Sequence, residues 1–149
     1  AGGGFCNGRS LIAALALGAS GINMGTRFLA TEECPVHENV KKRISAAGEA
    51  DTMMIMKSLR NPSRVLRTPW TEKIVELESQ GATLEDLIPY ISGEVSKKGW
   101  NEGKLEEGIY AMGQAIGLID DIPTVAELME SLIREADNTW QAVNKQAAS

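Results

Sequence analysis

The chain is short of the residues from which many functional sites are built. It has one histidine and two cysteines in 149 residues, which excludes a disulfide framework and leaves too few ligands for a Cys/His zinc centre. Cys6 and Cys34 lack C-x-x-C spacing and read as free thiols of a reducing, cytoplasmic compartment. Aromatics make up only 5% of the residues, so the core must rest on Leu, Ile, Val, Ala and Met. The longest apolar run, Leu11 to Leu17, falls far short of the ~20 residues that span a bilayer, and no stretch reads as a secretory leader. Basic residues are outnumbered 15 to 20, giving a net charge of −5. With neither a basic stripe nor a polybasic tail, neither nucleic acid nor a membrane is an expected partner.

The remaining composition is ordinary for one globular domain: 43% hydrophobic and 23% charged residues, with a mean hydropathy of −0.15. The chain opens on Ala1-Gly2-Gly3-Gly4 with no Met and no lead-in strand. Such a glycine cluster typically comes directly after a strand, so part of a longer protein is expected.

Residues 1–28 have the rhythm of an α/β unit. After the glycines, Asn7 is a candidate N-cap for an apolar helix from Gly8 to Leu17, with Gly18 as its stop. Leu11, Ile12, Leu15 and Ala16 share one face, and Ala13, Ala14 and Leu17 make the helix apolar nearly all round, which suits packing on a parallel sheet. Ile22-Asn23-Met24 reads as a brief buried strand ending in the turn Gly25-Thr26-Arg27-Phe28. Beyond residue 30 the pattern is mostly helical. Pro35 suits a first turn, and Val36, Val40 and Ile44 mark a face ending near Gly48. Thr52 to Met56 can pair with Arg64 to Arg67 across Asn61-Pro62-Ser63, although the methionine-rich stretch is also compatible with helix. Trp70–Ser79 and Leu84–Ile91 read as helices broken at Gln80-Gly81, the second capped by Thr83 with Asp86. Residues 92–108 are polar and glycine-studded and read as loop. Ile109 to Ile119 is apolar, with Gly113 and Gly117 permitting close packing against backbone or ligand. Thr124 and Glu127 form a capping box for a last helix whose apolar face carries Val125, Leu128, Leu132, Ile133 and Ala136, with fraying expected after Asn144.

Two turns could carry chemistry. In Gly2-Gly3-Gly4-Phe5-Cys6-Asn7-Gly8-Arg9, glycines let main-chain N–H groups approach a phosphate, and the helix N-terminus beyond them adds positive potential. Alone, such a turn starts many helices that bind nothing. Met24-Gly25-Thr26-Arg27-Phe28 supplies a second small-residue turn one helix and one linker later. That is the spacing of consecutive units in a (β/α)8 barrel, where the loops after the seventh and eighth strands commonly share a phosphate.

The run AGGGFCNGRSLIAALALGASGINMGTRFLATEE resembles the C-terminal barrel signature of the nitronate monooxygenase family, with its GG-x-x-D-G-R turn, AALALGA helix and MGTRF turn followed by A-T-E-E. NPSRVLR and MGQAIGLIDDIPTVAEL, similar to the family's GQ-x-x-GLI segment, extend the likeness over most of the chain. The resemblance implies an α/β fold: the C-terminal fragment of an FMN-binding TIM-type (β/α)8 barrel over residues 1–48, followed by a mostly helical region over 49–149. It implies that Gly3 and Gly4 bind the FMN phosphate after the seventh strand, that Gly25 and Thr26 do so after the eighth, and that Gln114, with Gly113, lies near the flavin or at a lid over it. Asn7 departs from the family's Asp but still caps a helix. Arg27 either assists the phosphate or pairs with a structural carboxylate such as Glu32 or Glu33, and the structural role is the favoured one.

The family's catalytic histidine is expected upstream of this sequence, which leaves the catalytic residues unknown and gives His37 no role in the reaction. Cys6 reads as a small buried residue, although a helix N-terminus can lower a thiol pKa. Met53, Met54 and Met56 read as packing rather than a flavin or quinone site. The implied activity is FMN-dependent oxidation of alkyl nitronates by O2. The alternatives are NADH-dependent quinone reduction, a flavin enoyl reductase, or a non-catalytic helical interaction module. The expected partners are accordingly a small-molecule substrate (nitronate or quinone) and NADH. Without the rest of a barrel the chain is expected to be inactive and to self-associate through uncovered edges and apolar helix faces.

Overall fold

A computed structural model describes residues 1–148. Its elements arise from local rules. Asn7 caps α1 (Gly8–Ala16), accepting a hydrogen bond from Ser10 N while Ser10 Oγ accepts from Asn7 N. A single turn, α2 (Thr26–Leu29), leads to α3 (Glu38–Ser45), which His37 caps through its ring. Strands β1 (Thr52–Ile55) and β2 (Ser63–Leu66) pair antiparallel, with Thr52 opposite Leu66 and Ile55 opposite Ser63. Helices α4 (Pro69–Ser79), α5 (Leu84–Ile91), α6 (Gly93–Glu102) and α7 (Val125–Ala147) complete the order, with 3-10 turns at Glu49–Asp51 and Gln114–Leu118. Capping boxes at Thr68, Thr83 and Thr124 start α4, α5 and α7.

The hairpin divides the interior, because alternate strand residues face opposite sides. Leu66 joins a first core with Val40, Ile44, Tyr110, Met112 and Ile116. Ile55 and Val65 join a second core with Ile74 and Leu87 of α4 and α5. Main-chain hydrogen bonds from Leu66 N to Tyr110 O (2.8 Å) and from Met112 N to Arg64 O (3.2 Å) fasten the 110–112 stretch beside β2.

Several expectations are corrected. The strand expected at Ile22–Met24 is reduced to one parallel bridge between Gly2 and Asn23. With α1 as the crossover, this is a βαβ unit pared to its minimum, because no further strand among the described residues extends the ladder. Helix α1 packs on α7 rather than on a sheet: Gly8 and Ala14 are its buried residues, while Leu15 and Leu17 are exposed. The loop expected over 92–108 holds α6. Its glycines serve packing and capping: Tyr110 and the Glu107 carbonyl occupy the space a side chain would need at Gly99, and Gly103 ends the helix in the left-handed conformation. On α7, Leu128, Leu132 and Ala136 are buried as expected, but Ile133 is 61% exposed and the helix continues past Asn144 to Ala147. No helix among the described residues is long and apolar enough to cross a membrane.

Candidate functional site

The parallel bridge sets the Gly3-Gly4 turn beside the start of α2. Gly3 (φ +90°) and Gly4 (φ +82°) are both in the left-handed region, which side chains rarely adopt. A Cβ at Gly3, Gly4 or Gly25 would meet nothing within 4 Å, so all three main chains face open space. That space is a cleft of about 400 Å³ lined by Gly3, Gly4, Asn23, Gly25, Thr26 and Arg64, with apolar residues such as Phe5 and Met112 completing it. Among the described residues, no hydrogen bond within the chain uses the N–H of Gly4, Phe5 or Gly25. Thr26 Oγ1 accepts from Gly113 N at 3.0 Å, tying the second turn to the 110–113 stretch.

The lining carries one arginine and no carboxylate, in a chain with 20 acidic residues. A larger groove of about 490 Å³ beside α7 has the opposite character, with Asp120, Asp121, Glu127, Glu130 and Glu135 against Arg27 and Arg134. The cleft, and not the groove, suits an anion.

The structure therefore brings Gly3, Gly4, Gly25 and Thr26 together in one cavity. Gln114 is exposed at the head of its 3-10 turn, outside the residues that line the cleft. Several amides at the N-terminus of α1 are already engaged: Gly8 N donates to Glu135 Oε2 at 2.8 Å, and Cys6 N and Asn7 N donate to Ser10 Oγ. Arg27 is structural, but its partner is neither Glu32 nor Glu33. It is buried and meets Asp121 at 2.7 Å, while Glu33 receives Val125 N at the start of α7 and the Glu32 carbonyl receives Lys41 Nζ. Burial pushes the Cys6 thiol above its ordinary pKa, only partly offset by the Arg27 charge, so the helix N-terminus does not activate it. His37 lies outside the cleft lining, its Nδ1 accepting Asn39 N. Arg64 was not among the expected site residues, although alternation along the NPSRVLR strand places it on the same side as Leu66 and Thr52.

The model of a known family, nitronate monooxygenase, matches residues 1–135, a span that includes both glycine turns. The chain belongs to the nitronate monooxygenase family. A relative from Mycobacterium tuberculosis, (3aS,4S,5R,7aS)-5-hydroxy-7a-methyl-1-oxo-octahydro-1H-indene-4-carboxyl-CoA dehydrogenase, is 33% identical over 91% of this chain and 48% of its own length. The solved structure of FabK from Thermotoga maritima superposes with a TM-score of 0.86 at 36% identity, covering 97% of this chain and 46% of that one. Nitroalkane oxidase from Streptomyces ansochromogenes, at 22% identity and a TM-score of 0.75 over 95% of this chain and 40% of that one, shares the fold. The chain thus spans about half the length of the relatives it matches, as a helix-rich α/β portion of the TIM-type barrel fold. Dehydrogenase, monooxygenase and oxidase are names of oxidoreductases, so the family is an enzymatic one.

Proposed function

We propose that this chain holds the phosphate of FMN in a flavin-dependent oxidoreductase that oxidises alkyl nitronates with O2 to a carbonyl compound and nitrite. The observation that carries the reading is the cleft in which Gly3, Gly4, Gly25 and Thr26 converge with no carboxylate. The residues fit the group: a phosphate needs main-chain N–H donors it can approach closely, and the missing Cβ atoms leave that approach open. The N–H groups of Gly4 and Gly25 would donate to phosphate oxygens. Thr26 would hold the second turn in place through Gly113, and Phe5, Leu29 and Met112 would keep water from one side of the cofactor. Bound there, FMN would supply reversible two-electron transfer.

A second reading, oxidation or reduction of an acyl-CoA thioester, is favoured by the 33% identity to the carboxyl-CoA dehydrogenase. Titration of the full-length protein with FMN, followed by flavin fluorescence, tests the cofactor. Saturable binding at micromolar concentrations or below is expected, and no binding overturns both readings. Nitrite release from an alkyl nitronate under O2 separates them: turnover of a CoA thioester without nitrite release would replace the first reading by the second.

A further inference from the structure

We infer that Arg64 is the charge partner of the flavin phosphate, an inference that rests on the FMN reading above. Along β2, Arg64 and Leu66 face the first core and the cleft, while Val65 faces the second core. The guanidinium stays on the cleft side of the hairpin, since Arg64 Nη1 donates to Thr52 Oγ1 at 3.0 Å and Thr52 stands opposite Leu66. Arg9, Arg27, Arg43 and Arg67 each meet a carboxylate. Arg64 meets none among the described residues, although it is half-buried in a chain of net charge −5. A half-buried cation without a counter-ion is costly unless an anion joins it, and the cleft beside it carries no carboxylate. With one of its five N–H groups on Thr52, the fork retains donors for phosphate oxygens.

Its placement relative to the glycine turns is fixed through the main chain. Arg64 O accepts from Met112 N at 3.2 Å, and the next residue, Gly113, donates to Thr26 Oγ1 at 3.0 Å. Two hydrogen bonds therefore link the arginine to the second phosphate turn. The bond to Thr52 orients the guanidinium before a ligand arrives, which reduces the ordering that binding requires.

The test compares FMN with riboflavin, which lacks the phosphate, on full-length wild type, Arg64→Met and Arg64→Lys, with circular dichroism confirming that each variant folds. A charge-assisted bond to phosphate corresponds to roughly 10- to 100-fold in affinity. Arg64→Met is expected to weaken FMN binding by about that factor and leave riboflavin binding unchanged, with Arg64→Lys restoring part of the loss. The salt dependence of FMN binding should also flatten in Arg64→Met. Equal losses for both flavins, or no loss for either, would overturn the role of Arg64 while leaving the FMN reading intact. A wild-type protein that binds neither flavin would overturn the FMN reading itself, and this role with it.

Discussion

Gly8→Ala tests the contact that seats the first glycine turn on the last helix. A Cβ at Gly8 would collide with the main-chain N of Ala136 and O of Leu132, and would lie 2.8 Å from the carbonyl carbon of Glu135. All three atoms are backbone, so no rotamer change relieves the clash. Ordinary carbon contacts sit at about 3.5–4.0 Å, so α1 and α7 must part by roughly 1 Å. Separation also stretches the 2.8 Å bond from Gly8 N to Glu135 Oε2. Overpacking costs about 1–3 kcal/mol and weakening a hydrogen bond to a charged group about 1.5–3 kcal/mol, against a gain of about 0.5–1 kcal/mol from alanine's better helix propensity. The net expectation is a loss of roughly 2–4 kcal/mol, read from urea midpoints of the full-length protein. Gly93→Ala is the control, since its Cβ meets nothing within 4 Å and the change should be neutral or slightly stabilising. If Gly8→Ala unfolds within about 0.5 kcal/mol of wild type while the control behaves as expected, the close main-chain approach of α1 to α7 is refuted.

The ion pair of Arg27 and Asp121 is lopsided, with side-chain exposures of 5% and 63%. Asp121→Asn, which leaves a buried cation without its partner, should cost about 1–2 kcal/mol, discounted from a fully buried pair because water reaches the aspartate. Arg27→Met removes the charge as well and should cost less, and the order of the two urea midpoints checks this. Tyr110 is fully buried and donates to Lys104 O at 2.8 Å. Desolvation, with Glu107 and Glu106 nearby, pushes its phenol from 10.0 up to about 12. The folded state holds that proton more tightly than the unfolded chain, so the stabilisation is fully present below about pH 10 and is lost as pH rises toward about 12. Urea midpoints across that interval should fall in wild type and fall less in Tyr110→Phe, which should itself lose about 1 kcal/mol at neutral pH. A phenolate absorbance change centred near pH 10 that disappears in Tyr110→Phe would contradict the burial.

Much of the local structure was legible because it is decided within a few residues. The caps at Asn7, Thr83 and Thr124, the hairpin of β1 and β2, and the break at Gln80-Gly81 depend on side chains adjacent to the groups they satisfy. The α6 segment was not legible in this way. Gly99 and Gly103 argue for a loop when read locally, yet Gly99 is required by the approach of Tyr110, and Gly103 closes the helix. The face of α7 was legible except at Ile133, and the role of Arg27 was legible although its partner was not.

The sequence by itself marked the two small-residue turns, because Gly3, Gly4, Gly25 and Thr26 are residue types that permit tight turns and close main-chain approach. It also determined the family, through motifs that extend over most of the chain. Only the tertiary structure decided that the turns share one cleft, that the amide of Gly8 is already engaged by Glu135, and that Arg64 shares the cleft where no carboxylate opposes it. Those outcomes depend on contacts between residues far apart in the chain, such as the 127-residue separation of Gly8 and Glu135. Local propensity carries no information about them, because the free energy that selects them comes from packing and charge pairing after the elements have formed.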